Sequence, residues 1–198
     1  MAFSGSDFNA DIVKKTMACN YDGTKNVRYL VSLPQTVRWL IPNYSNAQIC
    51  DAFIPLLNGQ HGRLVNISSM MSRLSFIRNS QLAERWRAAS SVAEVDGLVQ
   101  DFINAVAAGN HAQKGWPENS YGVSKMGVTA LTRALARGND KPSVLINCCC
   151  PGWVQTEMTK YRGNKTPSEG AQTPVLLALG DLNGQSGGFW EDERVMQW

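Results

Sequence analysis

The sequence lacks the features of a membrane protein and of a nucleic-acid-binding protein. No apolar stretch approaches the roughly 20 residues that a membrane-spanning helix needs, and the Lys and Arg residues are scattered along the chain rather than clustered. The net charge is only +3, so there is no broad electrostatic attraction to polyanions. We therefore expect a cytoplasmic protein that binds neither membranes nor nucleic acids.

Metal-binding patterns are lacking as well. The five cysteines include no CxxC pair, and the two histidines, His61 and His111, stand far apart in the sequence, so we expect no metal site. Cys148, Cys149 and Cys150 lie in an apolar run, and we predict that they are small core residues. Disulfides are not expected, because cytosolic proteins are kept reduced.

The chain has enough apolar residues for one domain with a real core, since 43% of its 198 residues are hydrophobic. Continuous apolar runs at 62–69 and 143–150 predict two buried strands. Between them, residues 121–137 have helical spacing, and Gly138 is a helix stop. The order strand, helix, strand indicates an α/β fold in which the helix crosses between two parallel strands.

Two more elements are predicted near the C-terminus. A helix is expected at 168–179, because Thr166 and Glu169 resemble a helix start and Gly180 a stop. Residues 187–191 predict a last short strand.

The stretch that separates the first strand from the central helix, 70–120, is 51 residues long. It predicts helices at 81–89 and 92–108, the second capped by Ser91 and carrying an apolar face. A segment of this length is too long for a plain loop, so we interpret it as a helical insertion on one side of the functional site.

Near the N-terminus, an apolar pattern with helical spacing runs from Val13 to Val27 and then breaks in a proline-containing segment. Removing residues 28–49 on paper joins Val27 to Cys50 and restores the helical register. We therefore interpret residues 28–49 as an insert, for which a translated intron is one origin. The alternative is a genuine loop with a short helix at 36–41.

One pair of side chains carries chemistry in this sequence. Tyr121 and Lys125 are four positions apart in the predicted helix, which places them on one helix face. An ammonium beside a phenol lowers the phenol pKa, so this tyrosine would exchange protons near neutral pH, unlike one with an unperturbed pKa of about 10. The alternative is a solvated helix face.

Four motifs closely resemble the short-chain dehydrogenase/reductase superfamily, and more narrowly its monomeric carbonyl-reductase branch. They are NISS at 66–69, YGVSK at 121–125, PGWV at 151–154 and the closing ERVMQW at 193–198. The long segment 70–120 is similar to the helical insertion of that branch. The resemblance covers most of the chain except 28–49, and it implies a Rossmann-type three-layer sandwich with a parallel sheet.

The resemblance also implies four catalytic residues. Tyr121 would be the general acid that protonates a carbonyl oxygen, and Lys125 would lower its pKa and hold the nicotinamide ribose hydroxyls. Ser69 would donate a hydrogen bond to the substrate carbonyl, and Asn20 would order a proton-relay water beside the cofactor and the lysine. The alternative interpretation of Ser69 is an ordinary serine at a strand end. The alternative for Asn20 is a polar helix residue that faces solvent.

The loop after the second strand would contact the cofactor, which the resemblance implies is NADPH. Pro151, Gly152, Trp153 and Val154 would flank the nicotinamide, with Val154 bonded to its carboxamide, and Thr156 would contact the cofactor as well. The cofactor would carry the hydride, while the protein supplies position and electrostatics. For Trp153 a packing role and a role in the substrate pocket both stay open.

A glycine-rich phosphate loop is the largest absence. A complete family member begins with a strand, a glycine-rich turn and a helix whose N-terminus holds the pyrophosphate. The glycine-rich stretch at 184–188 does not stand between a strand and a helix. We therefore expect the first cofactor-binding half of the fold to be absent and the strand at 62–69 to be an exposed sheet edge.

Two functions stay open at this point. The first is NADPH-dependent reduction of ketones, aldehydes or quinones to alcohols; the second is a non-catalytic remnant that cannot bind a dinucleotide. The choice between NADPH and NADH cannot be read, because the discriminating residues normally follow the first two strands. The resemblance implies a monomer, whereas apolar surface left bare by a missing half would favour association.

Overall fold

The computed structural model describes residues 8–20, 50, 53–57 and 61–198, with the backbone alone for 15 and 18–20. The interpretation of residues 28–49 as an insert falls outside the described residues and stays a prediction. Within the described part, no helix combines the length and the apolar character needed to cross a membrane.

Four strands form one sheet. They are β1 (Arg63–Ile67), β2 (Leu145–Cys150), β3 (Phe189–Glu191) and β4 (Arg194–Met196). Their spatial order follows the chain, with β1, β2 and β3 parallel and β4 antiparallel to β3. The three predicted strands are confirmed, and β1 lies at one edge of the sheet that the described residues form.

β4 was not predicted from the sequence. The turn that joins it to β3 consists of Asp192 and Glu193, both at positive φ, 48° and 60°. Two successive residues at positive φ are typical of the tight turn that suits a twisted hairpin. The sequence shows no sign of it because the usual glycine or asparagine pattern is absent.

Five helices complete the described fold. They are α1 (Ala10–Asn20), α2 (Ser80–Ala88), α3 (Val92–Ala107), α4 (Ser120–Gly138) and α5 (Pro167–Leu179). The four helices predicted after residue 69 are confirmed to within one residue. Of the N-terminal helical pattern at 13–27, residues 13–20 lie in a helix, and residues 21–27 fall outside the described residues. Reciprocal capping bonds start two of them: Ser91 with Glu94 in α3, and Thr166 with Glu169 in α5. These caps satisfy backbone N–H groups that have no partner inside the helix.

The helices cover both faces of the sheet, as the predicted three-layer sandwich requires. On one face α4 packs on β1 and β2, with α1 and α3 behind it, and α5 packs on the other face. Cys148 and Cys150 belong to the α4-side core, whereas Cys149 packs with Leu177 on the α5 side. The prediction that these cysteines are core residues is confirmed, and alternation along β2 sends them to opposite faces.

Candidate active site

Ser69, Tyr121 and Cys150 meet at the carboxyl edge of the parallel strands. Ser69 follows β1 by two residues, Cys150 ends β2, and Tyr121 is the second residue of α4. Asn119 caps this helix by accepting a hydrogen bond from the Gly122 N–H at 2.9 Å. The crossover between two parallel strands therefore delivers the start of α4 to the edge where β1 and β2 end.

Lys125 lies one turn after Tyr121, on the same side of α4. Its Nζ atom donates a hydrogen bond to the Ile67 carbonyl at 2.8 Å and lies 5.9 Å from the centroid of the Tyr121 ring. The predicted juxtaposition of ammonium and phenol is thus present. The last carbonyl of β1 holds the ammonium in this position.

Ser69 connects the strand end to the phenol. Its side chain is almost fully buried, accepts a hydrogen bond from the Met71 N–H at 3.2 Å, and forms a hydrogen bond with the Tyr121 side chain. A hydroxyl whose oxygen accepts from the backbone keeps its own proton available for donation elsewhere. Ser69 and Tyr121 can therefore share one acceptor placed between them, such as a carbonyl oxygen.

The electrostatics of Tyr121 differ from the prediction. Burial raises the pKa of Tyr121 above its ordinary value of 10.0, and the nearby Cys150 raises it further, while the hydrogen bond from Ser69 opposes the shift. The predicted net lowering of the pKa by Lys125 is therefore wrong for the protein alone. Helical spacing indicates which residues are neighbours, but it does not report how far the phenol is removed from water.

The loop after β2 is held by the segment that precedes α5. Val154 forms a parallel bridge with Lys165: the Lys165 N–H donates to the Trp153 carbonyl at 3.1 Å and the Gln155 N–H donates to the Lys165 carbonyl at 2.8 Å. The Thr159 hydroxyl donates to the Val154 carbonyl at 2.6 Å. The backbone around Val154 is therefore fixed on both sides.

Gly152 occupies a position where any other residue would be strained. Its φ of 85° lies in the left-handed region, and a Cβ there would stand 2.8 Å from the Lys165 side chain. The Gly152 N–H donates to the Cys150 thiol at 3.3 Å. Cys150 also raises the pKa of Tyr121. Cys150 therefore links the loop to the tyrosine.

The predicted cofactor-contacting residues of this loop differ in exposure. Pro151, Gly152 and Val154 are half-buried, and the Trp153 side chain is 55% exposed. Thr156 is exposed and starts the short helical turn Glu157–Thr159. An indole this exposed is not core packing, and a pocket role for Trp153 stays a prediction.

Asn20 is the last residue of α1, and its side chain lies outside the described atoms. One helical turn earlier, Thr16 accepts a hydrogen bond of 3.4 Å from the hydroxyl of Ser120, the residue before Tyr121. α1 therefore runs beside the start of α4. The role of Asn20 stays a prediction.

Two ion pairs at the same sheet edge were missed by the sequence reasoning. Arg73 donates to the carboxylate of Glu191 at 2.5 Å, and Lys165 pairs with Asp192. Glu191 is buried at the end of β3 opposite Cys150, and a carboxylate that ends a predicted buried strand is the one sequence signal that could have indicated it. The partners are more than 25 residues away in the chain, beyond the reach of any local pattern.

The described residues fit one end of a dinucleotide. The Tyr121 phenol, the Lys125 ammonium and the Gly152 turn provide the donor set and close backbone approach that a nicotinamide riboside needs. Among the described residues, no strand leads through a glycine-rich turn into a helix, as a pyrophosphate site of this fold requires. The glycine-rich stretch at 184–188 leads into β3 instead.

Comparison with known proteins points to one family. The family described as short chain dehydrogenase matches residues 102–167. Carbonyl reductase [NADPH] 1 of Mus musculus is 40% identical over 164 residues, covering 78% of this chain and 58% of that protein. The Oryctolagus cuniculus protein of the same name is 38% identical over 193 residues, covering 92% of this chain and 61% of that protein. The chain thus spans about three fifths of the length of these relatives.

Solved structures agree. Salutaridine reductase from Papaver somniferum aligns with a TM-score of 0.65 and 25% identity, over 93% of this chain and 68% of that one. Menthone neomenthol reductase from Mentha piperita aligns with a TM-score of 0.57 and 31% identity, over 72% of this chain and 45% of that one. With its mostly parallel sheet and its serine, tyrosine and lysine at one sheet edge, the chain belongs to the short-chain dehydrogenase/reductase superfamily, in the carbonyl-reductase branch.

Proposed function

We propose that this protein reduces carbonyl compounds, namely ketones, aldehydes or quinones, to alcohols with NADPH. The observation that carries the proposal is the placement of the Lys125 ammonium, which is held on the Ile67 carbonyl at 2.8 Å and lies 5.9 Å from the Tyr121 ring, with Ser69 acting on the same phenol. Sequence relatives that cover 78% of the chain are named for NADPH, which favours NADPH over NADH.

The geometry supports the following division of roles. When bound, the cofactor supplies a hydride to the carbonyl carbon. Tyr121 donates its phenolic proton to the carbonyl oxygen, and Ser69 donates a hydrogen bond to the same oxygen as negative charge develops there. A phenol whose pKa is raised by burial is protonated at neutral pH, which is the form that a general acid needs.

Lys125 has two tasks in this proposal. Its ammonium, fixed on the Ile67 carbonyl, holds the nicotinamide ribose hydroxyls and stabilises the tyrosinate that remains after proton donation. The 151–154 loop, with Thr156 after it, positions the nicotinamide ring, and Asn20 at the end of α1 orders a water that returns the proton. We propose a monomer as the active form.

A non-catalytic role is the second candidate. One observation favours it: the described residues include no glycine-rich turn that could hold the pyrophosphate. In the Rossmann fold the glycine-rich turn and the N-terminus of the helix that follows it hold the pyrophosphate. Cofactor binding therefore separates the two candidates.

The test begins with NADPH titration of the purified chain, followed by nucleotide fluorescence and by thermal unfolding. Saturable binding that raises the melting temperature is expected from the first candidate. Ketone reduction by Tyr121→Phe should then fall by about 10²- to 10⁴-fold, with NADPH binding retained. Tyr161→Phe is the matched control, because Tyr161 is 67% exposed. Absence of NADPH binding by a chain that melts cooperatively would contradict the proposal and support the non-catalytic role.

A further inference from the structure

A cavity lies at the far end of α4. Its volume is about 350 Å³, and its walls include Arg133 and Arg137 of α4 and residues 185–188 of the turn before β3. Arg133 is twelve residues beyond Tyr121, about 18 Å along a helix that rises 1.5 Å per residue. The cavity adjoins the amino-terminal edge of β2, so it is separate from the candidate active site.

The cavity has an excess of positive charge. Arg133 and Arg137 are one turn apart on α4. Burial lowers the pKa of Arg133, and the neighbouring guanidinium groups of Arg137 and Arg87 lower it further. Arg87 is paired with Glu84. Within the described part of the chain, no carboxylate forms an ion pair with Arg133 or Arg137. An anion in the cavity would relieve this repulsion.

Arg133 is held in place but is not saturated with hydrogen bonds. Its guanidinium lies 5.5 Å from the centroid of the Trp198 ring, and its Nε atom is buried with no hydrogen-bond partner. A buried N–H without a partner is costly, and native structures normally satisfy such groups with protein, water or a ligand. A planar guanidinium offers its donors in one plane, which suits an oxyanion.

Arg137 and the opposite wall are fixed by the fold. Arg137 donates to the carbonyls at the end of α2, Ala89 at 3.0 Å and Ala88 at 3.4 Å. The Ser186 hydroxyl accepts from the Ile146 N–H at 3.0 Å. Gly187, at a φ of 75°, approaches α4 so closely that a Cβ would stand 3.3 Å from the Ala136 Cβ. The cavity is therefore preformed.

We propose that this cavity binds a phosphate group, either free phosphate or the phosphate of a small ester, through Arg133 with support from Arg137. Arginine pairs with phosphate through two parallel hydrogen bonds, and a dianion neutralises both guanidinium charges. The volume exceeds that of one phosphate, so a small organic part fits beside it. This site is independent of the reaction proposed above.

The test is thermal unfolding of the full chain against inorganic phosphate, with sodium chloride at equal ionic strength as reference. Phosphate also stabilises proteins nonspecifically, so the comparison is between variants. In Arg133→Gln, the saturable part of the increase in melting temperature should be lost from this concentration range. The phosphate concentration that gives half of the saturable increase should rise at least tenfold. Arg78→Gln removes the same charge from an exposed position elsewhere. This variant should retain the saturable increase in melting temperature.

A second variant keeps the test decisive if Arg133→Gln does not fold. Gln185 is exposed on the opposite wall, and Gln185→Glu should bring a carboxylate to the arginines, raise the melting temperature and abolish the phosphate response. Glycerol 3-phosphate beside inorganic phosphate distinguishes the sources: tighter binding of the ester assigns the site to esters, and equal binding assigns it to free phosphate. An equal phosphate response in wild type, Arg133→Gln and Gln185→Glu would overturn the proposal.

Discussion

Ser68 and Thr129 tie β1 to α4 in the interior of the protein: their hydroxyl oxygens lie 2.6 Å apart, and both residues are buried. Ser68 is also 3.1 Å from the Lys125 carbonyl, and Thr129 donates to the Ser72 hydroxyl at 3.2 Å. This network sits one residue before Ser69 on the strand and one turn after Lys125 on the helix. It therefore fixes the distance between the two elements that carry the site.

We expect Ser68→Ala to destabilise the fold. The substitution leaves buried polar groups without a partner, which costs about 1–3 kcal/mol, and urea unfolding measures it. Ser168→Ala, at an exposed position of α5, is the matched control and should change the free energy of unfolding by less than about 0.5 kcal/mol. A double-mutant cycle with Thr129→Val should give a coupling of about 1 kcal/mol; a Ser68→Ala variant as stable as the control would contradict the network.

Tyr121 should ionise above its ordinary pKa of 10.0 in the free protein. The difference in tyrosinate absorbance between wild type and Tyr121→Phe, followed through alkaline pH, isolates this residue from the other tyrosines. Because the folded-state pKa is raised, its contribution to stability is complete below about pH 10 and is lost as pH rises through the folded pKa.

Ser69→Ala serves as the control for that titration. Since the hydrogen bond from Ser69 lowers the pKa of Tyr121, its removal should move the midpoint to still higher pH. A wild-type midpoint clearly below 10 would mean that the Lys125 ammonium outweighs burial, and the raised pKa would be refuted.

The cysteines of β2 should resist alkylation while the protein is folded. Burial raises the pKa of both Cys148 and Cys149 from 9.0 to about 12, and only the thiolate reacts. Iodoacetamide treatment at about pH 8, with peptide mass spectrometry, should leave residues 148–150 unmodified in buffer and modify them in urea. Equal alkylation rates in buffer and in urea would contradict the burial of these cysteines.

The same thiols predict an alkaline limit to stability. Their folded-state pKa values are raised, so their contribution is present below pH 9.0, the ordinary value, and is lost as pH rises towards about 12. Melting temperature against pH measures this loss. Cys149→Ala should reduce the slope of melting temperature against pH between pH 9.0 and about pH 12.

The Val154 side chain packs directly against Gly170, where there is no Cβ. Two glycine substitutions can test this contact. A Cβ at Gly170 of α5 would stand 2.4 Å from Val154 Cγ2, whereas a Cβ at Gly97 of α3 would meet nothing within 4 Å. Gly97→Ala should stabilise the protein by about 0.4–1 kcal/mol, whereas Gly170→Ala should lose that gain and displace the 151–154 loop.

The readouts for this pair are urea unfolding and NADPH affinity. Gly170→Ala should weaken NADPH binding if Val154 contacts the nicotinamide, and Gly97→Ala should leave it unchanged. Equal behaviour of the two variants would show that the Val154 side chain moves aside without consequence for the site.

Local patterns accounted for much of the fold. The helix starts at Ser91 and Thr166 were predictable because each serine or threonine precedes a glutamate by three residues, and both capping bonds form within a single turn. β1 and β2 were predictable because buried parallel strands are continuously apolar. β4 was missed because its turn at Asp192 and Glu193 adopts positive φ without glycine.

The sequence by itself determined the family and the order of the strands and helices apart from β4, and it singled out Ser69, Tyr121 and Lys125 as candidate site residues, because each of these is written in short motifs or in local periodicity. Only the tertiary structure decided the raised pKa of Tyr121, the Lys125 bond to Ile67 and the pairing of Arg73 with Glu191. Burial and long-range pairing arise when elements distant in the chain pack together, and no local window of sequence contains them.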